Sequence, residues 1–418
     1  MSALRFGATR AFIVIIAMTV FFGAAWATDV QDADAPQPES QPQPEPDPET
    51  QPEPEPAPAE RATEPGATAP ADTSPANTPA PVVPLPTPKP ARVDHVFIIS
   101  VDGLRSDALL APGTRLPNFA RLSRRGAYTL NARTDPDSTV TLPNHVGMIT
   151  GRLMRGRSGH GWTGNADPPA GATLHDGHDE PIMSVFEVAR SFGVATAAFT
   201  SKTKFSLFEV SHEGLDAYAY AAEAPAITDH ALRALAAAER SLIFVHYRDP
   251  DSAGHASGWD LSPGSAYMES IARVDLELGR LLDAIETDDR RRGRVAMIIT
   301  SDHGGGSPHR SHTHESMWVN YIIPFLVWVD GADRAGELYL LNASTRADPG
   351  LRRPGVSPTM EGDPLPPIRN SDAANLALDL LGLPAVPGSV VNGGQELGVF
   401  ESGSGSGDGD VRGAGGGG

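Results

Sequence analysis

Cysteine is absent from all 418 residues. No disulfide can staple this chain, no thiolate can hold a metal or attack a substrate, and no lipid can be attached through a cysteine. Stability must come from an ordinary core. Basic residues are also scarce: 33 Lys and Arg stand against 52 Asp and Glu, for a formal net charge of −19. That balance excludes a nucleic-acid-binding surface. Aromatic side chains make up only 6% of the chain, and no cluster of them suggests a platform for stacking bases. Long hydrophobic runs are missing too, with one exception.

The exception is "AFIVIIAMTVFFGAAW", preceded by Arg5 and Arg10 and ending at Ala25-Trp26-Ala27. A positive start, an apolar stretch and a small-x-small site read as a secretory signal over residues 1–27, cleaved after Ala27. An uncleaved anchor is the alternative, although the run is short for a comfortable span. The expectation is an exported protein, periplasmic or secreted, with no membrane span after cleavage. Residues 28–92 follow as an acidic, Pro-rich spacer. Between 28 and 90 there are 12 acidic residues against Arg61 and Lys89. Such a segment cannot bury enough apolar surface to fold, and its prolines favour an extended form. Residues 401–418, "ESGSGSGDGDVRGAGGGG", read as a flexible tail. One domain remains, 93–400.

Within it the apolar runs are short, β-branched and without alternation: "HVFIISVDG" (95–103), "SLIFVHYRDPD" (241–251) and "VAMIITSDHGG" (295–305). They read as strands buried on both faces. Helical patterns lie between them, including "PNFARLSRRG", "IMSVFEVARSFG" and "SAYMESIARVDLELGRLLDAIE". The alternation predicts an α/β fold, a mostly parallel central sheet with helices on both faces and loop insertions near the site. In such sheets working groups gather beyond the carboxyl ends of the strands.

Each strand ends in potential ligands. The first delivers Asp102; the second Asp249 and Asp251, with His255 close behind; the third Asp302 and His303. Singly each has a plainer reading: a strand-exit turn at Asp102, an Asx-turn at Asp251, a surface histidine at His255. Together they predict a dinuclear oxygen/nitrogen site, suited to zinc first and to manganese or iron second. Between the first two strands, "TVTLPNHVGMITG" predicts a helix ending at Gly151, with Thr141 at its mouth. A threonine there is by default a cap.

The segments "ISVDGLRSD", "TVTLPNHVGMITG", "DPDSAGH" and "SDHGGG" resemble, in order, the alkaline-phosphatase superfamily. Within it the chain looks most like the type I phosphodiesterase/nucleotide pyrophosphatase branch. The resemblance runs from about residue 93 to about 390. It implies a first metal site of Asp102, Thr141, Asp302 and His303, with Thr141 as nucleophile. It implies a second site of Asp251 and His255, completed by a later histidine. His309, His312 and His314 are the choices, and His312 is favoured by its distance from "NYIIPF". Asp251 is preferred to Asp249 because it fits the family's DxxxH spacing. The resemblance gives Asn144 a hydrogen bond to the phosphoryl group and places Lys202 and Lys204 where related hydrolases hold substrate anions. His145 and His160 are read as structural.

The activity implied is that of an exported two-metal hydrolase acting on a small phosphate ester, a diester or pyrophosphate, through a phosphothreonine. A phosphomonoesterase or phosphonate hydrolase is the alternative, and a non-catalytic metal-binding member a lesser one. A sulfatase is disfavoured because "TLPNH" lacks the C/S-x-P-x-R pattern, and a phosphomutase because of the export signal. The stretches 152–182 and 330–368 are expected to be irregular and to carry specificity.

Overall fold

The computed structural model describes residues 89–314, 316–332, 336–350 and 365–400. The signal, nearly all of the spacer and the tail lie outside the described residues. In chain order the strands are β1 (His95–Val101), β2 (Ala127–Arg133), β3 (Ala195–Thr200), β4 (Ala217–Tyr220), β5 (Ser241–Tyr247), β6 (Val295–Thr300), β7 (Ile322–Val329) and β8 (Gly336–Glu337). The helices are α1 (Pro117–Arg125), α2 (Thr141–Thr150), α3 (Val185–Ser191), α4 (Ser206–Ser211), α5 (Ala224–Ala237), α6 (Asp249–Ser257), α7 (Ala266–Thr287), α8 (Trp318–Tyr321), α9 (Leu338–Leu341) and α10 (Asp372–Leu380).

The strands form one sheet in the order β4-β3-β5-β1-β6-β7-β2-β8. The central strand β1 pairs in parallel with both β5 and β6, and β3 with β5. Only β7 runs the other way, antiparallel to β6 and to β2. Successive residues of β1 therefore enter different cores. Val96 and Ile98 pack with α2, α3 and α10 on one face. Phe97, Ile99 and Val101 pack with α1, α5 and α7 on the other. This double burial is why the strands read as unbroken apolar runs. The stretch from 152 to 184 contains no helix or strand.

The chain enters beside the start of β1. The Lys89 N–H donates to the Gly382 carbonyl at 2.9 Å and the Arg92 N–H to the Leu380 carbonyl at 3.0 Å. The Arg92 guanidinium lies over the Phe400 ring, 4.7 Å from its centroid. Lys89–Arg92, counted with the spacer from sequence, are thus fastened to the folded domain. No helix among the described residues is long and apolar enough to cross a membrane.

Candidate active site

Because β1, β5 and β6 are parallel, their carboxyl ends open on one edge of the sheet, and the acidic and imidazole residues meet there. Two groups form: Asp102, Asp302 and His303, and Asp251, His255 and His312. Within each group the potential ligand atoms lie within 4.8 Å of one another. Asp251 and His255 stand one turn apart on α6, so both face the same way. Of the three candidate histidines the structure brings His312 to Asp251, while His309 lies against Gly258 and His314 bonds Ser316. Asp249 sits at the start of α6, outside both groups.

Gly103 makes the junction possible. Its φ is +69°, and a Cβ there would come within 2.9 Å of the Asp251 Cα. The Asp251 N–H accordingly reaches the Asp102 carbonyl at 3.0 Å. Gly304 serves the same purpose after β6, where a side chain would collide with the Val319 carbonyl.

The two oxygens of each aspartate have different surroundings. Asp102 Oδ2 accepts from His246 Nε2 at 2.8 Å and pairs with Lys202 Nζ at 3.0 Å. Asp251 Oδ2 accepts from Lys202 Nζ at 2.7 Å. Asp302 Oδ1 accepts from the Gly103 and His303 N–H groups at 3.1 and 3.0 Å. The other oxygens, Asp102 Oδ1, Asp251 Oδ1 and Asp302 Oδ2, are buried and accept no hydrogen bond among the described residues. They face imidazoles instead: His303 Nε2 is 3.1 Å from Asp302 Oδ2 and 3.5 Å from Asp102 Oδ1, and His255 Nε2 is 3.4 Å from Asp251 Oδ1.

The outer ring nitrogens fix which atoms those imidazoles present. Nδ1 of His255, His303 and His312 lies 3.0, 2.7 and 2.8 Å from the carbonyls of Arg310, Gly304 and Thr139. A carbonyl only accepts, so Nδ1 holds the proton and Nε2 of the neutral ring carries a lone pair. Lone pairs and carboxylate oxygens then face each other across a buried space, which is repulsive unless a cation stands between them. Oxygen and nitrogen donors without thiolate, each held from behind by a second partner, fit a divalent ion such as zinc.

Electrostatics agrees with this. Burial opposes ionisation of Asp102, yet the Lys202 ammonium and His246 hold its carboxyl well below the usual range. Burial and the neighbouring Asp102 charge push Asp302 well above it. Three carboxylates share one ammonium, so a cation entering here displaces a proton.

Thr141 is the first residue of α2, not its cap. The cap position is Val140, which makes no side-chain cap bond. The default reading of Thr141 is therefore not realised. Its Oγ1 lies 3.5 Å from Lys202 Nζ, at the positive end of the helix. Pro143 is in the first turn, where its missing N–H leaves no intrahelical bond unmade. Thr141, Asp102, Asp302, His303 and His312 are fully buried, and His255 and Lys202 form the more exposed edge.

Asn144 and Lys202 make contacts within the protein where the resemblance implied contacts to substrate. The Asn144 amide donates to the Ser138 and Val140 carbonyls at 3.0 and 2.9 Å, and its Oδ1 accepts from the Asp135 N–H and from Asn370. Both amide hydrogens are committed, so Asn144 braces the loop before α2 instead of meeting a phosphoryl oxygen. Lys202 meets the carboxylates of Asp102 and Asp251, and Lys204 is buried on the same turn. His145 bridges Ser100 Oγ at 2.7 Å and the Thr141 carbonyl at 2.8 Å, and His160 Nδ1 accepts from the Trp162 N–H at 3.2 Å.

Two others were missed. His246 is embedded in β5, and its pairing with Asp102 follows from strand register, which sets Ser100 opposite it. Asn165 Oδ1 accepts from the Leu142 N–H at 2.9 Å, which sets its amide beside Thr141. The glycine-flanked "GHGWTGN" that ends in it was the available signal.

A fold of this kind with a two-centre Asp/His edge defines the alkaline-phosphatase class. The family model for type I phosphodiesterase / nucleotide pyrophosphatase matches residues 96–346, and the chain belongs to that family. The fold class and family expected from the motifs are both borne out. Among curated relatives, a human ectonucleotide pyrophosphatase/phosphodiesterase family member 1 is 27% identical over 222 residues, 50% of this chain and 23% of that one. A 2,3-bisphosphoglycerate-independent phosphoglycerate mutase of Parasynechococcus marenigrum is 33% identical over 141 residues, 34% of this chain and 24% of the mutase. The chain thus spans about a quarter of the length of these relatives. Among solved structures a 2-O GAG sulfatase superposes with a TM-score of 0.50 at 13% identity, over 71% of this chain and 72% of that one, and shares the fold.

Proposed function

We propose that the chain is an exported hydrolase of phosphodiester or pyrophosphate bonds, working with two divalent ions through a phosphothreonine at Thr141. The observation that carries this reading is the meeting of two Asp/His groups beside the Thr141 hydroxyl. Asp102, Thr141, Asp302 and His303 would hold one ion, and Asp251, His255 and His312 the other. When bound, such a pair, zinc by its donor set, would supply charge to neutralise phosphoryl oxygens and to ease loss of a proton from a hydroxyl or water.

The residues of the chain do the rest. Thr141 Oγ1 bonds to phosphorus as the bond to the leaving oxygen breaks, and its proton leaves with that oxygen or to solvent. Water then cleaves the phosphothreonine and restores the hydroxyl. The Thr141 N–H at the start of α2 and the Asn165 amide supply hydrogen bonds to the developing charge. No serine nucleophile or arginine clamp of the monoesterase type is present in "TLPNH", which favours a diester over a monoester.

The test is a comparison of purified protein on a nitrophenyl phosphodiester, monoester, sulfate and phosphonate, and on 3-phosphoglycerate. Preference for the diester supports the proposal. A strong monoester or phosphonate preference moves it to the neighbouring activity. Isomerisation of the phosphoglycerate would indicate a mutase, and inertness on all five a non-catalytic member.

A further inference from the structure

Lys202 is placed between the two Asp/His groups, not beside one of them. Its ammonium is 3.0 Å from Asp102 Oδ2 and 2.7 Å from Asp251 Oδ2, one carboxylate from each group. It is 3.5 Å from Thr141 Oγ1. In both aspartates it takes the same oxygen, Oδ2, and leaves Oδ1 turned toward the imidazoles with no hydrogen bond. The side chain is 7% exposed, so water does little to screen these contacts.

From this we infer that Lys202 is a positioning residue that couples the two ion-binding groups. By holding the outer oxygen of Asp102 and of Asp251 together, it aims both inner oxygens at their ions and sets the spacing between them. The inference rests on the two-ion reading of the site. It differs from a substrate-anchoring role, in which the ammonium would act on a phosphate and leave ion binding alone. A lysine suits the task because its ammonium can serve two carboxylates and a hydroxyl at once with its three hydrogens.

Loss of an outer partner of a metal ligand weakens binding by roughly 10–100-fold. Here one substitution removes such a partner from both groups. Lys202→Met and Lys202→Gln should therefore weaken both zinc equivalents by about 10-fold or more, read by competition against a chromophoric chelator. The glutamine variant, which keeps one amide donor, should lose less, and it carries the test if the methionine variant does not fold. Circular dichroism of the metal-free proteins checks folding.

Weakening of both equivalents supports the coupling. Unchanged affinity with a raised KM, or weakening of a single equivalent, overturns it in favour of a substrate anchor or a one-sided contact. A wild-type protein that takes up fewer than two equivalents removes the two-ion reading itself. Two equivalents in the wild type and unaltered affinities in both variants remove the coupling alone.

Discussion

The rings of His303 and His312 stack face to face, with centroids 3.6 Å apart and planes within 10° of parallel. One belongs to the group at the end of β6, the other to the group completed by the loop before α8. His312 is fastened from behind as well, since the Thr139 hydroxyl donates to its carbonyl at 2.6 Å while its own Nδ1 donates to the Thr139 carbonyl. The stack joins two segments that the chain keeps only a few residues apart.

Removing His312 should therefore cost one ion. His312→Ala is expected to bind one zinc equivalent in place of two and to lose activity by more than the roughly 100-fold seen for outer partners. His309→Ala and His314→Ala should keep both equivalents. Elemental analysis of the three purified variants decides the matter, and equal zinc in His312→Ala and wild type would exclude this ligand.

Thr141→Ala should abolish turnover while leaving two zinc equivalents and the unfolding temperature near wild type, because the carboxylates and imidazoles of both groups stay in place. Thr141→Ser, which keeps the nucleophilic oxygen, should retain measurable activity. Near-normal turnover in the alanine variant would take Thr141 out of the mechanism.

The two asparagines near α2 should separate by readout. Asn144→Ala leaves several buried groups without partners, each loss worth about 1–3 kcal/mol, so it should lower the unfolding temperature markedly. Asn165→Ala, which leaves the Leu142 N–H without its side-chain acceptor, should cost less stability than Asn144→Ala and reduce kcat by about 100-fold, the scale of a lost donor to developing charge. A reversed pattern would return the phosphoryl role to Asn144.

Chelation should lower both activity and stability. Without cations the buried inner oxygens repel one another and the imidazole lone pairs, and a ligand at about 100 times its Kd contributes about 2.7 kcal/mol per site. The unfolding temperature should fall in excess chelator and return with zinc. A melting curve indifferent to chelator would mean that no ion is held.

Acid should destabilise the domain through His95. His95 is fully buried, with Nδ1 on Ser241 Oγ at 2.9 Å and Nε2 accepting from Arg291 Nη1 at 2.6 Å. Burial and the Arg291 charge lower its pKa to about 4. The folded chain thus binds this proton less readily than the unfolded one, whose histidine titrates near 6.5. Its contribution is complete above about pH 6.5 and shrinks as pH falls from there toward 4, by roughly 3 kcal/mol in all. Melting temperatures from pH 7.5 to 5 should fall less steeply in His95→Gln than in wild type. Parallel slopes would show that His95 is not the group responsible.

Much of this site could be read from residues alone, for a physical reason. Strands buried on both faces announce themselves by unbroken apolar runs, and parallel strands must present their ends together, so Asp102, Asp251, Asp302 and His303 could be brought to one edge before any coordinates. The remainder depends on distance across the sheet or around a loop. The register that sets His246 against Asp102 and the reach of Lys202 to two carboxylates are tertiary facts with no local signature, whereas His312 is singled out in sequence by its distance from "NYIIPF". Asn144 shows the opposite hazard, since its motif position suggested a contact with substrate while its surroundings consume every hydrogen it has.

The ties of Lys89 and Arg92 beside the start of β1, and of Phe400 against Arg92, carry one more implication. β1 is seven residues long, about 23 Å at strand rise, and Asp102 lies at its other end. Lys89, Arg92 and Phe400 therefore share the end of the sheet opposite Asp102. Lys89 and Phe400, where the described chain enters and leaves the fold, thus lie away from the sheet edge that carries Asp102.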